Sequence, residues 1–181
     1  MREIKIYAAL GAAAALAAAT VMQVRAANDK FPFPDGFEKG VNYLTLDKPA
    51  SPTQAFNEVQ VLYAPKEAIA AAKDGKPMPY GTIFVIVFYN AKLGADGNPL
   101  KDANGRFIRD TLRVYTAMRK EQGWGAEYPP EKRNGEWEYR VFTADRQWND
   151  KVDVVERCLG CHLPKAAQDY VWSYDELKKA P

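Results

Sequence analysis

The pentapeptide Cys158-Leu159-Gly160-Cys161-His162 gathers both cysteines and the single histidine of a 181-residue chain. Two thiols and an imidazole at C-x-x-C-H spacing suit one chemistry above others. The sulfurs add to the vinyl groups of a porphyrin while the adjacent ring coordinates iron from one face. Two intervening residues let both sulfurs reach one macrocycle edge and leave the next side chain beneath the metal. Competing readings fit less well. A thioredoxin-like dithiol sits between a strand and a helix early in a βαβ unit, whereas this motif lies near the C-terminal end. A structural zinc site takes four Cys or His ligands, and the chain has three. The expectation is one covalently bound haem c held by Cys158, Cys161 and His162, with His162 as the metal ligand.

If His162 serves one face of the iron, no second histidine is left to ligate the other, stabilise bound oxygen or act as a distal base. A histidine-assisted peroxidase or oxygen carrier is excluded. Met78 and Met118 are the thioether candidates for a sixth ligand, but a Pro-bounded loop and a strand end more often use methionine for packing. Without them the iron is five-coordinate and open. Glu58, Arg113, Glu138 and Arg140 lie on expected strands that could approach the haem, and each reads first as a solvated strand face. Asp96, Asn98, Asp102 and Asn104 hint at calcium, yet they lack EF-hand spacing and a terminal Glu, so turn chemistry explains them better.

The elements that must position this motif are mostly strands. Val41 to Leu46 and Glu58 to Tyr63 are the first two, the latter alternating Val59, Val61 and Tyr63 with Glu58 and Gln60. Pro65-Lys66-Glu67 opens an Ala-rich helix to about Lys73, closed by Asp74-Gly75. Thr82 to Tyr89 is β-branched and aromatic throughout, which predicts a central strand buried on both faces. Residues 92 to 107 read as a long loop or hairpin tip, and residues 124 to 135 as a second loop. Thr111 to Met118 and Trp137 to Phe142 supply two more strands. Asn149 or Asp150 is expected to cap a short helix carrying the haem motif, with Pro164 ending it. The fold class is α+β: a predominantly antiparallel sheet with short flanking helices and the motif on a C-terminal helix. A four-helix bundle would need long amphipathic helices that the sequence lacks.

The N-terminus carries Arg2 and Lys5, an Ala-rich apolar run from Ile6 to Met22, and a small-residue cleavage site at Val24-Arg25-Ala26. The reading is a signal peptide over residues 1–26, a single haem-binding domain over 27–181, and a periplasmic location. Arg2, Lys5 and Arg25 against Glu3 account for the whole net charge of +2. The remainder is near neutral, so nucleic acid is not an expected partner.

Gly75-Lys76-Pro77-Met78-Pro79-Tyr80-Gly81-Thr82 running into a buried strand, an aromatic strand near Tyr139, and Cys158 to His162 followed by Asp169-Tyr170-Val171-Trp172 resemble the cytochrome P-460 and cytochrome c′-beta family. The resemblance covers most of residues 27–181. It implies an antiparallel β-rich haem fold, usually a homodimer, whose five-coordinate iron binds small gaseous or nitrogenous ligands such as nitric oxide. A redox partner protein or oxidation of hydroxylamine are further possibilities it carries. Members that oxidise hydroxylamine have a lysine cross-linked to the porphyrin. Aligned from Gly81-Thr82 that position is Ile86, and no lysine lies between Gly81 and Ala91. The departure points to the cytochrome c′-beta branch, with ordinary haem c under an apolar cap. Phe84, Ile86 and Phe88 share one strand face and are the expected cap; the alternative is that Ile83, Val85 and Val87 face the haem.

Overall fold

Five stretches rich in β-branched and aromatic residues form one antiparallel sheet whose spatial order follows the chain. The computed structural model describes residues 31–181, and the expected signal peptide over residues 1–26 lies outside the described residues. The strands are β1 (Val41–Lys48), β2 (Glu58–Ala64), β3 (Ile83–Ala91), β4 (Arg109–Lys120) and β5 (Trp137–Thr143). Helix α1 (Lys66–Lys73) joins β2 to β3, starting behind Pro65 and ending at Asp74 before the left-handed Gly75. Pro there removes only a donor that would have no partner in a first turn. Phe33–Pro181 forms one compact unit.

The α+β expectation holds, with a C-terminal helical segment beside the sheet. The apolar run Thr82 to Tyr89 becomes the middle strand of the five, paired on both edges, but it is not buried on both faces as expected: Val85 and Val87 are buried, whereas Ile86 and Phe88 on the other face stay half-buried. Its length and that of β4 exceed the expected spans by one or two residues at several ends. Hydrogen bonding along the hairpin continues past the last apolar residue, through Ala91↔Arg109. The long connection between β3 and β4 is turn-rich. Asp96 Oδ1 accepts the Asn98 amide at 3.0 Å, and Asp102 Oδ1 accepts the amides of Asn104 and Arg106 at 2.8 and 2.9 Å. These carboxylates close turns, in keeping with the reading against calcium.

Register assigns side chains to faces, because residues directly opposite in adjacent strands project to the same side. Phe84 lies opposite Met118, which lies opposite Tyr139; the next row is Ile86, Thr116 and Val141; the row beyond is Phe88, Val114 and Thr143. On the first row the face is closed. Phe84, Met118, Trp137 and Tyr139 pack with Ala68, Ile69 and Ala72 of α1 and with Leu159, Val171, Tyr174 and Leu177 from the C-terminal segment. The opposite face carries Val85, Val87, Tyr115 and Phe142, and Phe33 covers it edge-on to Tyr115 and Phe142 at 5.0 and 5.2 Å between ring centroids.

The C-terminal segment comprises a π-turn (Val155–Leu159), a single α-helical turn α2 (Gly160–His162), a 3-10 stretch (Leu163–Gln168) and α3 (Tyr174–Lys179). Two expected boundaries move. The cap is Asp153, whose Oδ1 accepts the amides of Val155 and Glu156 at 2.9 and 3.2 Å. Asn149 and Asp150 instead lie in the turn before it. Pro164 does not end the segment, since it occupies the first turn of the 3-10 stretch, where a missing N–H costs little. Helix α3, which the sequence reading did not foresee, packs on α1.

Candidate haem-attachment site

The motif sits where a π-turn widens into a helical turn. The Gly160 amide donates to the Val155 carbonyl five residues back, leaving Leu159 fully buried and Gly160 exposed. Single π-turns of this sort recur at functional positions in helices. The turn is pinned to the sheet through Asn134, itself fully buried, whose Nδ2 donates to the Leu159 carbonyl and to the Tyr139 hydroxyl, both at 3.1 Å. Cys158 and Cys161 are free thiols three residues apart, a spacing that puts them on one side of a helical turn. Burial pushes the Cys158 thiol up to about 11.

His162 follows on the same turn, half-buried, with its ring centroid 4.8 Å from that of Tyr139. Its Nδ1 lies 2.7 Å from the Tyr170 carbonyl. A carbonyl can only accept, so Nδ1 carries the proton and Nε2 keeps its lone pair, as in metal-ligating histidines oriented by a backbone acceptor. Burial holds this imidazole below the ordinary histidine range, and the Tyr170 hydrogen bond opposes the shift without cancelling it. The neutral ring is the form that binds iron.

The Tyr170 carbonyl is delivered by an unusual bend. Asp169 and Tyr170 are both left-handed, with φ of 50° and 62°. Such a backbone costs about 1–2 kcal/mol per non-glycine residue. Asp169 Oδ2 accepts the Met78 amide and the Lys120 ammonium, each at 2.7 Å, and Oδ1 accepts the Trp137 indole N–H at 3.3 Å. Beyond the bend, the Trp172 indole donates to the Cys161 carbonyl at 3.0 Å, and the Lys165 ammonium lies 4.3 Å from the Trp172 ring centroid.

Through Tyr139, His162 stands on the sheet face that bears Phe84, Ile86 and Phe88. Ile83, Val85 and Val87 point to the opposite side. The three expected cap residues are not equivalent, however. Phe84 is closed into the core, 5% exposed and 5.8 Å from Trp137 between ring centroids, whereas Ile86 and Phe88 are half-buried together with Val114 and Thr116. Met78 and Met118 are core side chains, 2% and 8% exposed.

The charged strand positions need correction. Glu58, Glu138 and Arg140 were expected as solvated faces, and each is 4% exposed. Glu58 is sheltered because the Arg113 guanidinium pairs with it and Gln60 Nε2 donates to its Oε1 at 2.7 Å. Arg113 in turn lies 4.6 Å from the Phe56 ring centroid and 5.6 Å from that of Phe88. Glu138 accepts the Tyr128 hydroxyl at 2.7 Å, and burial raises its carboxyl above the usual range. Arg140 is covered by the Trp148 ring, 4.3 Å away. Period-two alternation reports sides of a strand, and here the Trp137 and Tyr139 side of β5 is covered by α1 and the C-terminal segment while Tyr128 and Trp148 cover the Glu138 and Arg140 side.

Reasoning from sequence missed Asn134, and assigned no role to Tyr139, Asp169 or Tyr170. A polar loop residue gives no local sign that it will be buried under a distant helix. An Asp just past a helical stretch is one of the few residues that tolerates the left-handed conformation, and that was the available signal at Asp169.

The donor set fits a c-type haem: two free thiols and a lone-pair imidazole nitrogen on consecutive turns, with half-buried Ile86, Phe88 and Val114 on the same face as the imidazole. Among the described residues no group of three or more His, Cys, Asp or Glu side chains could hold a metal ion without such a macrocycle. A family model described as Cytochrome P460 matches residues 19–173. No curated protein matches the chain.

Proposed function

The chain belongs to the cytochrome P460 family, and from that premise we propose that it is an exported mono-haem c-type cytochrome whose five-coordinate iron binds small ligands such as nitric oxide. Cys158 and Cys161 hold the haem by thioethers and His162 Nε2 ligates the iron. The haem supplies one open coordination position on a redox-active metal. The observation that carries the reading is the placement of His162. The only imidazole of the chain has its Nδ1 committed to Tyr170 and shares a sheet face with half-buried Ile86, Phe88, Val114 and Thr116.

An apolar lining favours neutral diatomic ligands over water and anions, which lose hydrogen bonds on entering it. Burial of Met78 and Met118 among core side chains supports an iron without a thioether on its second face. Ile86 in place of a lysine supports a haem attached only through its vinyl groups. The segment from Arg2 to Ala26 supports export to the periplasm, and the family resemblance supports a homodimer.

A second reading, oxidation of hydroxylamine or nitric oxide, is favoured by the Glu58, Gln60 and Arg113 cluster beside Phe88. A carboxylate beside a half-buried sheet face is a candidate proton acceptor. Optical spectra of the ferric and ferrous protein, with an intact mass, test the first reading. High-spin haem and a mass showing two thioethers without an additional cross-link are expected. Low-spin spectra in both states overturn it in favour of electron transfer. Steady turnover of hydroxylamine with an artificial acceptor establishes the second.

A further inference from the structure

We infer that Asp169 is a positioning residue for the proximal imidazole, tying the His162 ring to the sheet through the backbone of Tyr170. The inference rests on the haem reading above and concerns how firmly the ligand is held. Four links form one path. Lys120 at the end of β4, Trp137 at the start of β5 and the Met78 amide between α1 and β3 all converge on the Asp169 carboxylate. The Lys120 and Asp169 side chains are only 11% and 14% exposed, so this ion pair is well shielded from solvent. Asp169 and Tyr170 are consecutive left-handed residues, a backbone that persists only where its surroundings over-determine it. The carbonyl so placed accepts the His162 Nδ1–H at 2.7 Å.

The chemistry of the path follows from its last link. A short Nδ1–H···O=C bond makes an imidazole a stronger donor at Nε2, which strengthens the iron–nitrogen bond and stabilises the ferric state. Tyr170 supplies the acceptor through its backbone, so substituting its side chain cannot remove it. Asp169 is the nearest residue whose side chain decides where that carbonyl points. Three anchors from three separate elements explain why the bend holds against its own strain, where a simple helix end would have used glycine.

The test compares the holoprotein with Asp169→Asn, Asp169→Ala and Lys120→Gln, using resonance Raman of the ferrous form and the midpoint potential. The expected result is an iron–histidine stretching band that shifts to lower frequency and broadens in Asp169→Ala, with a raised potential. Asp169→Asn keeps an acceptor for the Met78 amide and should fall between wild type and Asp169→Ala. Lys120→Gln leaves the bend residues intact and should move both readouts in the same direction, which covers the case in which Asp169→Ala fails to fold. Wild-type bands and potentials in Asp169→Asn and Lys120→Gln overturn the inference. A wild-type protein with no iron–histidine band sinks the underlying haem reading as well, so the two failures are distinguishable.

Discussion

The two spacer residues of the haem motif have opposite energetic roles, and substituting each by alanine separates them. Leu159 is fully buried, packed in the cluster that includes Tyr139, Val171 and Leu177. Truncating such a leucine removes its transfer free energy and leaves a cavity, at a cost of about 2–5 kcal/mol. For a domain of this size that corresponds to a fall in Tm of roughly 4–20 °C. Gly160 is exposed and already helical, with φ −58° and ψ −40°. A Cβ placed there meets only the Val155 carbonyl oxygen at 3.8 Å, an ordinary contact. Gly160→Ala should therefore raise stability by about 0.5–1 kcal/mol, because alanine loses less backbone freedom on folding. Urea unfolding followed by far-UV circular dichroism measures both. The expected gap between the variants is roughly 2.5–6 kcal/mol. Leu159→Ala losing less than about 1 kcal/mol, or Gly160→Ala losing more than that, would refute the claim that of the two spacers only Leu159 anchors the motif by packing.

Two further outcomes follow from the site and its surroundings. Replacing Phe84 and Phe88 together by alanine should speed nitric oxide binding in stopped-flow measurements, with Phe88→Ala alone giving most of the effect because Phe84 is closed into the core; unchanged kinetics would remove these residues from the cap. Burial raises the Glu138 carboxyl above its ordinary 4.5, so the folded chain binds more protons than the unfolded one between 4.5 and the raised value. The stability contribution of this group is present below the unfolded pKa and lost as pH rises through the folded one. Glu138→Gln should thus gain on wild type as pH rises from 4 to 8, and a gap independent of pH would show that Glu138 titrates normally.

Much of the scaffold was legible because it depends on local pattern. Alternation in Glu58 to Tyr63, continuous β-branched character in Thr82 to Tyr89 and the Pro65 start of α1 each follow from backbone geometry within a few residues. The Asp153 cap was misplaced by three or four residues, since several Asn and Asp side chains precede the helix and only the backbone path selects among them. Glu58, Glu138 and Arg140 defeated the pattern for another reason. Strand alternation separates two sides but does not say what later covers each, and the partners Arg113, Tyr128 and Trp148 come from elsewhere in the chain.

The sequence by itself determined the donor set, because two cysteines and one histidine at C-x-x-C-H spacing leave no alternative imidazole. It also determined which side chains share a strand face. Tertiary structure alone decided that His162 stands over the Phe84, Ile86 and Phe88 face, that Phe84 is withdrawn into the core, and that the His162 Nδ1 proton meets the Tyr170 carbonyl. Those facts depend on strand register and on a left-handed bend held by Lys120, Trp137 and the Met78 amide. Contacts between residues this far apart in the chain leave no trace in local periodicity, so only the folded chain shows them.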